Sequence, residues 1–143
     1  MSHTIEKLML QEHQRINKLI DELKKHLDNY EKTKTNFSVF KWNLEKHFFV
    51  EEKVIFDMFV NISGEETNDV FHLLEDHVKI MGIIRTLEKN LNKKIKPDLE
   101  ELKQRLTLHK KFEDEEFYPD LDKRLSHEQK KKISERIKEI IRG

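Results

Sequence analysis

The sequence predicts an all-α protein: an up-down-up-down antiparallel four-helix bundle with an additional short C-terminal helix. Three observations carry this. Helix breakers are scarce, with 3 Gly and 2 Pro in 143 residues, while Lys, Glu and Leu abound. Apolar residues recur at helical spacing along four long stretches. The breaks between them are short, which makes consecutive helices antiparallel neighbours. At this length a single bundle buries a real core.

The first helix is expected from about Thr4 to Tyr30, with Ile5, Met9, Ile16, Ile20, Leu23 and Leu27 on one stripe. "KTKTNFS" should break it, and Asn36 or Ser38 can cap the second helix. The second runs to about Asn61 and ends near "NISGEE". Ser63 with Glu66 has capping-box spacing for the third, which carries Val70, Leu73, Leu74, Ile80, Ile84, Leu87 and Leu91. "NKKIKP" ends it, and Pro97 fits the first turn of the fourth. The fourth carries Leu99, Leu102, Leu106 and Phe117 and should stop at "FYPDLD". Ser126 with Gln129 can cap a last helix bearing Ile133, Ile137, Ile140 and Ile141. Residues 1–121 then form the bundle, and 122–143 an amphipathic helix packed on it or at a dimer interface.

Composition excludes several function classes. The 28 basic and 28 acidic residues balance and intermix, so no phosphate-binding surface is expected and nucleic acid is not a partner. The Lys-rich end, "KKKISERIKEIIRG", reads as a solvated helix face. With no Cys, thiol nucleophiles, disulfides and zinc knuckles are out. The start lacks the build of a signal peptide, and no apolar run approaches a membrane span, so a soluble cytoplasmic protein is expected.

The chemistry sits on the helix seams. At about 100° per residue, Phe40, Leu44, Glu51, Val54 and Met58 fall within roughly 60° of His47. Val70, Leu73, Met81 and Ile84 fall within roughly 40° of His77. Leu102, Leu106 and Glu113 flank His109, and Met9 and Ile20 flank His13. Each of four helices thus turns one histidine inward, and two add a glutamate one turn later. Spacing alone says little: 8 histidines give about 1.6 such acidic pairs by chance, and the third pair, His72 with Asp76, lies off its seam and reads as surface. Position says more. One buried histidine is ordinarily satisfied by a neighbour's carbonyl. Six polar groups converging from four helices are costly unless paired or metal-bound. Imidazole and carboxylate without thiolate suit iron, and also manganese or zinc. Four His and two Glu exceed a closed tetrahedral site and suit a two-metal centre.

At these residues the chain resembles the hemerythrin-like family, four-helix bundles around a non-haem di-iron centre. The matching pieces are "EHQRI", "HFFVEE", "EDHVKI" and "HKKFEDEEFYP", in the family's order from Gln11 to Pro119. The resemblance implies His13, His47, His77 and His109 as terminal iron ligands. It implies Glu51 and Glu113 as carboxylates bridging two irons, with an oxo or hydroxo group completing the bridge.

Oxygen-carrying members have a fifth histidine on helix three, where this chain has Leu73 and Met81 four residues either side of His77. A water or another carboxylate, Glu116 for one, could stand in. The departure moves the expectation from oxygen carriage alone toward sensing, or iron- or nitric-oxide handling. The leading reading is a protein that binds a small diatomic ligand, dioxygen or nitric oxide. The alternatives are a di-iron oxidase- or peroxidase-like enzyme and a metal-free helical interaction module. His3, His26, His72 and His127 read as surface, and Phe48, Phe49 and Phe112 as core packing. Trp42, Phe49 and Phe56 form an outward stripe on helix two. The fifth helix should cover it, or else a second protomer, making the protein a monomer or a homodimer through helix two.

Overall fold

The structure, a computed structural model, describes residues 4–63 and 68–142. Five helices follow one another: α1 (Thr4–Lys25), α2 (Tyr30–Val50, widened by a π turn at Glu51–Phe56 and resumed over Asp57–Ser63), α3 (Asn68–Asn92), α4 (Glu100–Phe112, a π turn at Glu113–Phe117, then Tyr118–Arg124) and α5 (His127–Arg142). Among the described residues there is no strand, and no helix is long and apolar enough to cross a membrane.

Three expected boundaries move. The first break falls at residues 26–29, not at "KTKTNFS". Asn29 caps α2 by accepting the Lys32 N–H at 3.1 Å, and Thr33 donates to the His26 carbonyl at 2.7 Å. Poor helix formers in "KTKTNFS" are overridden because Thr33 and Phe37 are buried. Pro97 lies in the connection before α4 rather than in its first turn; there the Asp98 carboxylate accepts the Glu100 N–H. The fourth helix does not stop at "FYPDLD" but runs on to Arg124. Pro119 falls in the first turn of the renewed α-helix, after the widened turn, where a missing N–H costs least. Glu66 of the expected Ser63–Glu66 capping box lies outside the described residues, as does His3.

Two helix ends show their chemistry plainly. α3 closes with the Ile95 N–H on the Asn90 carbonyl and the Lys94 N–H on the Leu91 carbonyl, and Lys94 takes φ 61°. That is a Schellman close with lysine in the left-handed position. α5 opens on the expected capping box: the Ser126 hydroxyl accepts the Gln129 N–H at 3.1 Å, and the Gln129 side chain accepts the Ser126 N–H at 2.9 Å.

The apolar interior falls into two clusters. One gathers Met9, Ile55, Phe56, Leu73, Phe117 and Leu121 with their neighbours. The other gathers Ile16, Leu44, Phe48, Ile80, Ile84 and Leu106 with theirs. Along each of α1 to α4, the buried histidine lies between residues of the two clusters, so the polar groups form a layer across the middle of the core.

The register after each π turn is what positions the site. One extra residue in a turn holds the following side chains back by about 100°. Phe56, expected on the outer face of α2, is therefore 2% exposed and packs edge-on against Phe117. The expected stripe of three outward aromatics is reduced to Trp42, 64% exposed, and Phe49, 51% exposed. Phe49 is thus not core packing, whereas Phe48 is buried and Phe112 is partly buried against the core.

The fifth helix does not blanket that stripe. Its Ile133 and Ile137 join the cluster of Ile5, Met9 and Ile55, and only Ile140 reaches the hollow lined by Trp42 and Phe49. Asp122, at the end of α4, accepts the Glu6 N–H at 3.0 Å and so ties the first turn of α1 to this end of the molecule. Because Ile137 is wholly buried, Ile137→Ala should cost about 2–5 kcal/mol, a fall in Tm of about 6–25 °C. A thermal melt checks this; an unchanged Tm would mean that α5 contributes nothing to the core.

Candidate metal centre

The six sequence-predicted residues come together. His13, His47, His77 and His109 are buried, and Glu51 and Glu113 are 0% exposed. They form two sets of four ligand atoms, each set within 4.8 Å: His13, His47, Glu51 and Glu113, and Glu51, His77, His109 and Glu113. Both glutamates belong to both sets.

The distances show how the halves are joined. Glu113 faces each of them, with Oε1 3.2 Å from His13 Nε2 and Oε2 3.4 Å from His109 Nε2. Glu51 sends Oε1 inward, 3.0 Å from His77 Nε2 and 3.5 Å from His47 Nε2. Its Oε2 accepts the Tyr118 hydroxyl. The Nε2 atoms of His77 and His109 are 3.2 Å apart.

The other ring nitrogens point to a second tier of carboxylates. His13 Nδ1 lies 2.9 Å from Asp114, His77 Nδ1 2.7 Å from Glu52, and His109 Nδ1 3.0 Å from Asp76. His47 Nδ1 is 4.0 Å from Glu12, whose carboxylate is held by Arg15. Three of these contacts are hydrogen bonds, from α2 to α3, α3 to α4 and α4 to α1; Glu12 of α1 only faces His47 of α2, whose Nδ1 is buried without a hydrogen-bond partner. A carboxylate on Nδ1 takes that N–H, fixes the tautomer and leaves the Nε2 lone pair facing inward. Asp76, read as surface from the sequence, is thus part of the centre. Each of these four acids is a chain neighbour of a site residue: Glu12 of His13, Glu52 of Glu51, Asp76 of His77 and Asp114 of Glu113. That adjacency was the available signal, and a seam count hides it because neighbours lie about 100° apart.

Charge in this layer is finely poised. Burial drives His47 down to about 3, so it stays neutral. Burial also opposes charge on His13, but Asp114 and Glu113 outweigh it and raise the imidazole to about 9. His109 is likewise opposed by burial and overcome by Glu113 and Asp76, which push it up to about 12. Glu51 is held well below the usual carboxylate range, since the surrounding imidazoles, His47 first, overcome its burial. Burial and the Glu51 charge push Glu113 up.

These donors fit a metal centre. Both oxygens of Glu113 and Nε2 of His13 are buried without a hydrogen-bond partner in the protein. With Nδ1–H given to carboxylates, the Nε2 lone pairs of His77 and His109 face one another, which only a proton or a cation relieves. A family model described as the hemerythrin HHE cation-binding domain matches residues 4–121. The chain belongs to this family. No match is found among curated proteins or among solved structures.

In this hemerythrin-family chain the place of a fifth histidine is apolar. Leu73 is fully buried in one cluster, and Met81 is partly buried against the other. Glu116, the stand-in suggested by the sequence, is exposed and away from the centre. His72 and His127 are exposed, and His26 is partly so. Tyr118 was not visible in advance. It lies nine residues after His109, about 180° away on an unbroken α-helix, and reaches the centre only through the π turn. Phe48 stacks on His77 with ring centroids 3.8 Å apart, and Phe56 lies against the same ring at 5.6 Å, so one side of the layer is walled by aromatics.

Proposed function

We propose that this chain is a non-haem di-iron protein that binds a small diatomic ligand, dioxygen or nitric oxide, and serves in sensing or handling it or iron. His13 and His47 would hold one ion and His77 and His109 the other, with Glu51 and Glu113 shared between the two sets. The observation that supports this most is the sharing of both glutamates by the two sets of four. Iron bound there supplies a redox couple and coordination positions for the ligand. The chain's own part is to orient the imidazoles through their outer carboxylates and to exclude water with Phe48 and Phe56. Manganese or zinc would be accepted by the same donors.

The reading has an architectural side. Residues 1–121 are an up-down-up-down bundle, which the lending of carboxylates from helix to helix supports. Residues 122–143 close one end of it. The exposed pair Trp42 and Phe49 on α2 is the face through which a homodimer would form.

Metal analysis of protein purified under reducing conditions tests the centre, with two ions per chain expected. Loading must displace the protons that His13 and His109 hold at neutral pH. Both imidazoles are raised above 7: the His13 proton competes until about 9 and the His109 proton until about 12, so both compete below about 9. The overall loading constant should therefore rise with pH, by about two decades per unit below that point. A pH-independent titration with manganese, or a stoichiometry of one, would contradict the two-metal assignment.

A further inference from the structure

Glu113 reaches both halves of the centre with free oxygens, but Glu51 does not. Its Oε1 faces His47, His77 and His109, while its Oε2 is occupied by the hydroxyl of Tyr118. Tyr118 is wholly buried, and its ring lies 6.0 Å from that of His13. The equivalent place on α2, nine residues after the seam histidine and at the end of the π turn, is Phe56, which lies against His77 and carries no oxygen. The two halves thus have matching His₂Glu₂ donors, but a phenol stands beside only the one containing His13 and His47. The further ligands considered from the sequence do not serve: Leu73 and Met81 on α3 are apolar, and Glu116 on α4 is exposed.

We propose that Tyr118 is a further metal ligand, its phenolate oxygen binding the ion held by His13 and His47, so that the two metal positions are inequivalent. A phenolate is a hard, anionic oxygen donor of the kind ferric iron takes from tyrosine elsewhere. On ligation the phenol O–H breaks heterolytically, the oxygen–metal bond forms and the proton leaves to solvent; no electron moves. The cation itself drives this, since an adjacent metal reverses the local preference for the protonated phenol. The inference rests on the two-metal reading above.

The test is spectroscopic. Protein loaded anaerobically with ferrous iron and then exposed to air should show a visible phenolate-to-ferric charge-transfer band. Excitation in that band should enhance the ring vibrations of a bound phenolate. The chain has 2 tyrosines, and the other, Tyr30, begins α2 beneath Lys94. Tyr30→Phe should therefore keep the band, and Tyr118→Phe should lose all of it at the same iron content under saturating iron. Two ions per chain with no such band in the wild type would overturn the proposal, leaving Tyr118 as a hydrogen-bond donor to Glu51 alone. Absence of iron altogether would overturn the metal reading as well, and iron content, measured first, separates the two failures. Should Tyr118→Phe not fold, Tyr30→Phe decides by itself, because any phenolate band it shows belongs to Tyr118.

Discussion

Stripping the metal should lower Tm by about 12–20 °C, and Glu51→Ala should erase most of the difference between loaded and stripped protein. An ion present at a thousand times its Kd, bound only by the folded chain, adds about 4 kcal/mol, and each kcal/mol moves Tm by roughly 3–5 °C at this size. The stripped core also keeps its liabilities. Glu113 is left with ion-pair contacts of 3.2 and 3.4 Å to His13 and His109 but no well-aligned hydrogen bond, and His47 is held neutral far below its ordinary value. Glu51 is the residue to remove because it belongs to both sets of four and faces three of the histidines. Without it each set of four loses a carboxylate, and the shared negative charge that would offset bound cations is halved. Differential scanning calorimetry with and without chelator reads the effect. A melting curve unchanged after verified metal removal would mean that the polar layer is stable in its own right and that metal is incidental to the fold.

The six-residue centre was legible because it obeys a constant angular step. His47 to Glu51 and His109 to Glu113 are single α turns, and His13 and His77 sit on unbroken helices. Counting at 100° per residue placed five of them on the seams and His13 somewhat off the centre of its stripe. The same count failed at Phe56 and Tyr118, and for one reason. Each lies nine residues beyond a seam histidine, Phe56 as the last residue of a π turn that begins at the glutamate and Tyr118 just after one. No residue in "EEKVIF" or "EDEEF" announces a widened turn, since its cause is the tertiary packing of Ile55, Phe56, Phe117 and Tyr118 into one cluster. The break between α1 and α2 was misplaced for a related reason. Phe37 is worth more buried in a helix than the Thr and Asn around it cost there. The outer carboxylates were hidden differently: each acts on a neighbouring helix, which no single-helix projection can register.

The π turns themselves should be separable from the fold. Deleting the exposed Glu115 removes the extra residue from the turn in α4 and lets an ordinary α-helix run through it. Phe117 and Tyr118 then lie one position nearer His109, at about −20° and 80° from the seam. Leu121 falls at about 20° by the same count, so all three still face inward. The variant should fold, and in chelator it should melt no lower than the wild type, because an α turn is the more favourable backbone. What changes is the spacing. The deletion draws Tyr118 toward Glu113 by about 1.5 Å of helical rise, and a metal centre tolerates errors of only about 0.5 Å. Manganese affinity should accordingly drop by about 10- to 100-fold, the range seen when groups that orient ligands are disturbed. A deletion variant with wild-type affinity would show that the widened turn does not position the centre. One that cannot fold in chelator would place the role of the turn in the core, with Phe117 and Leu121, rather than at the glutamates.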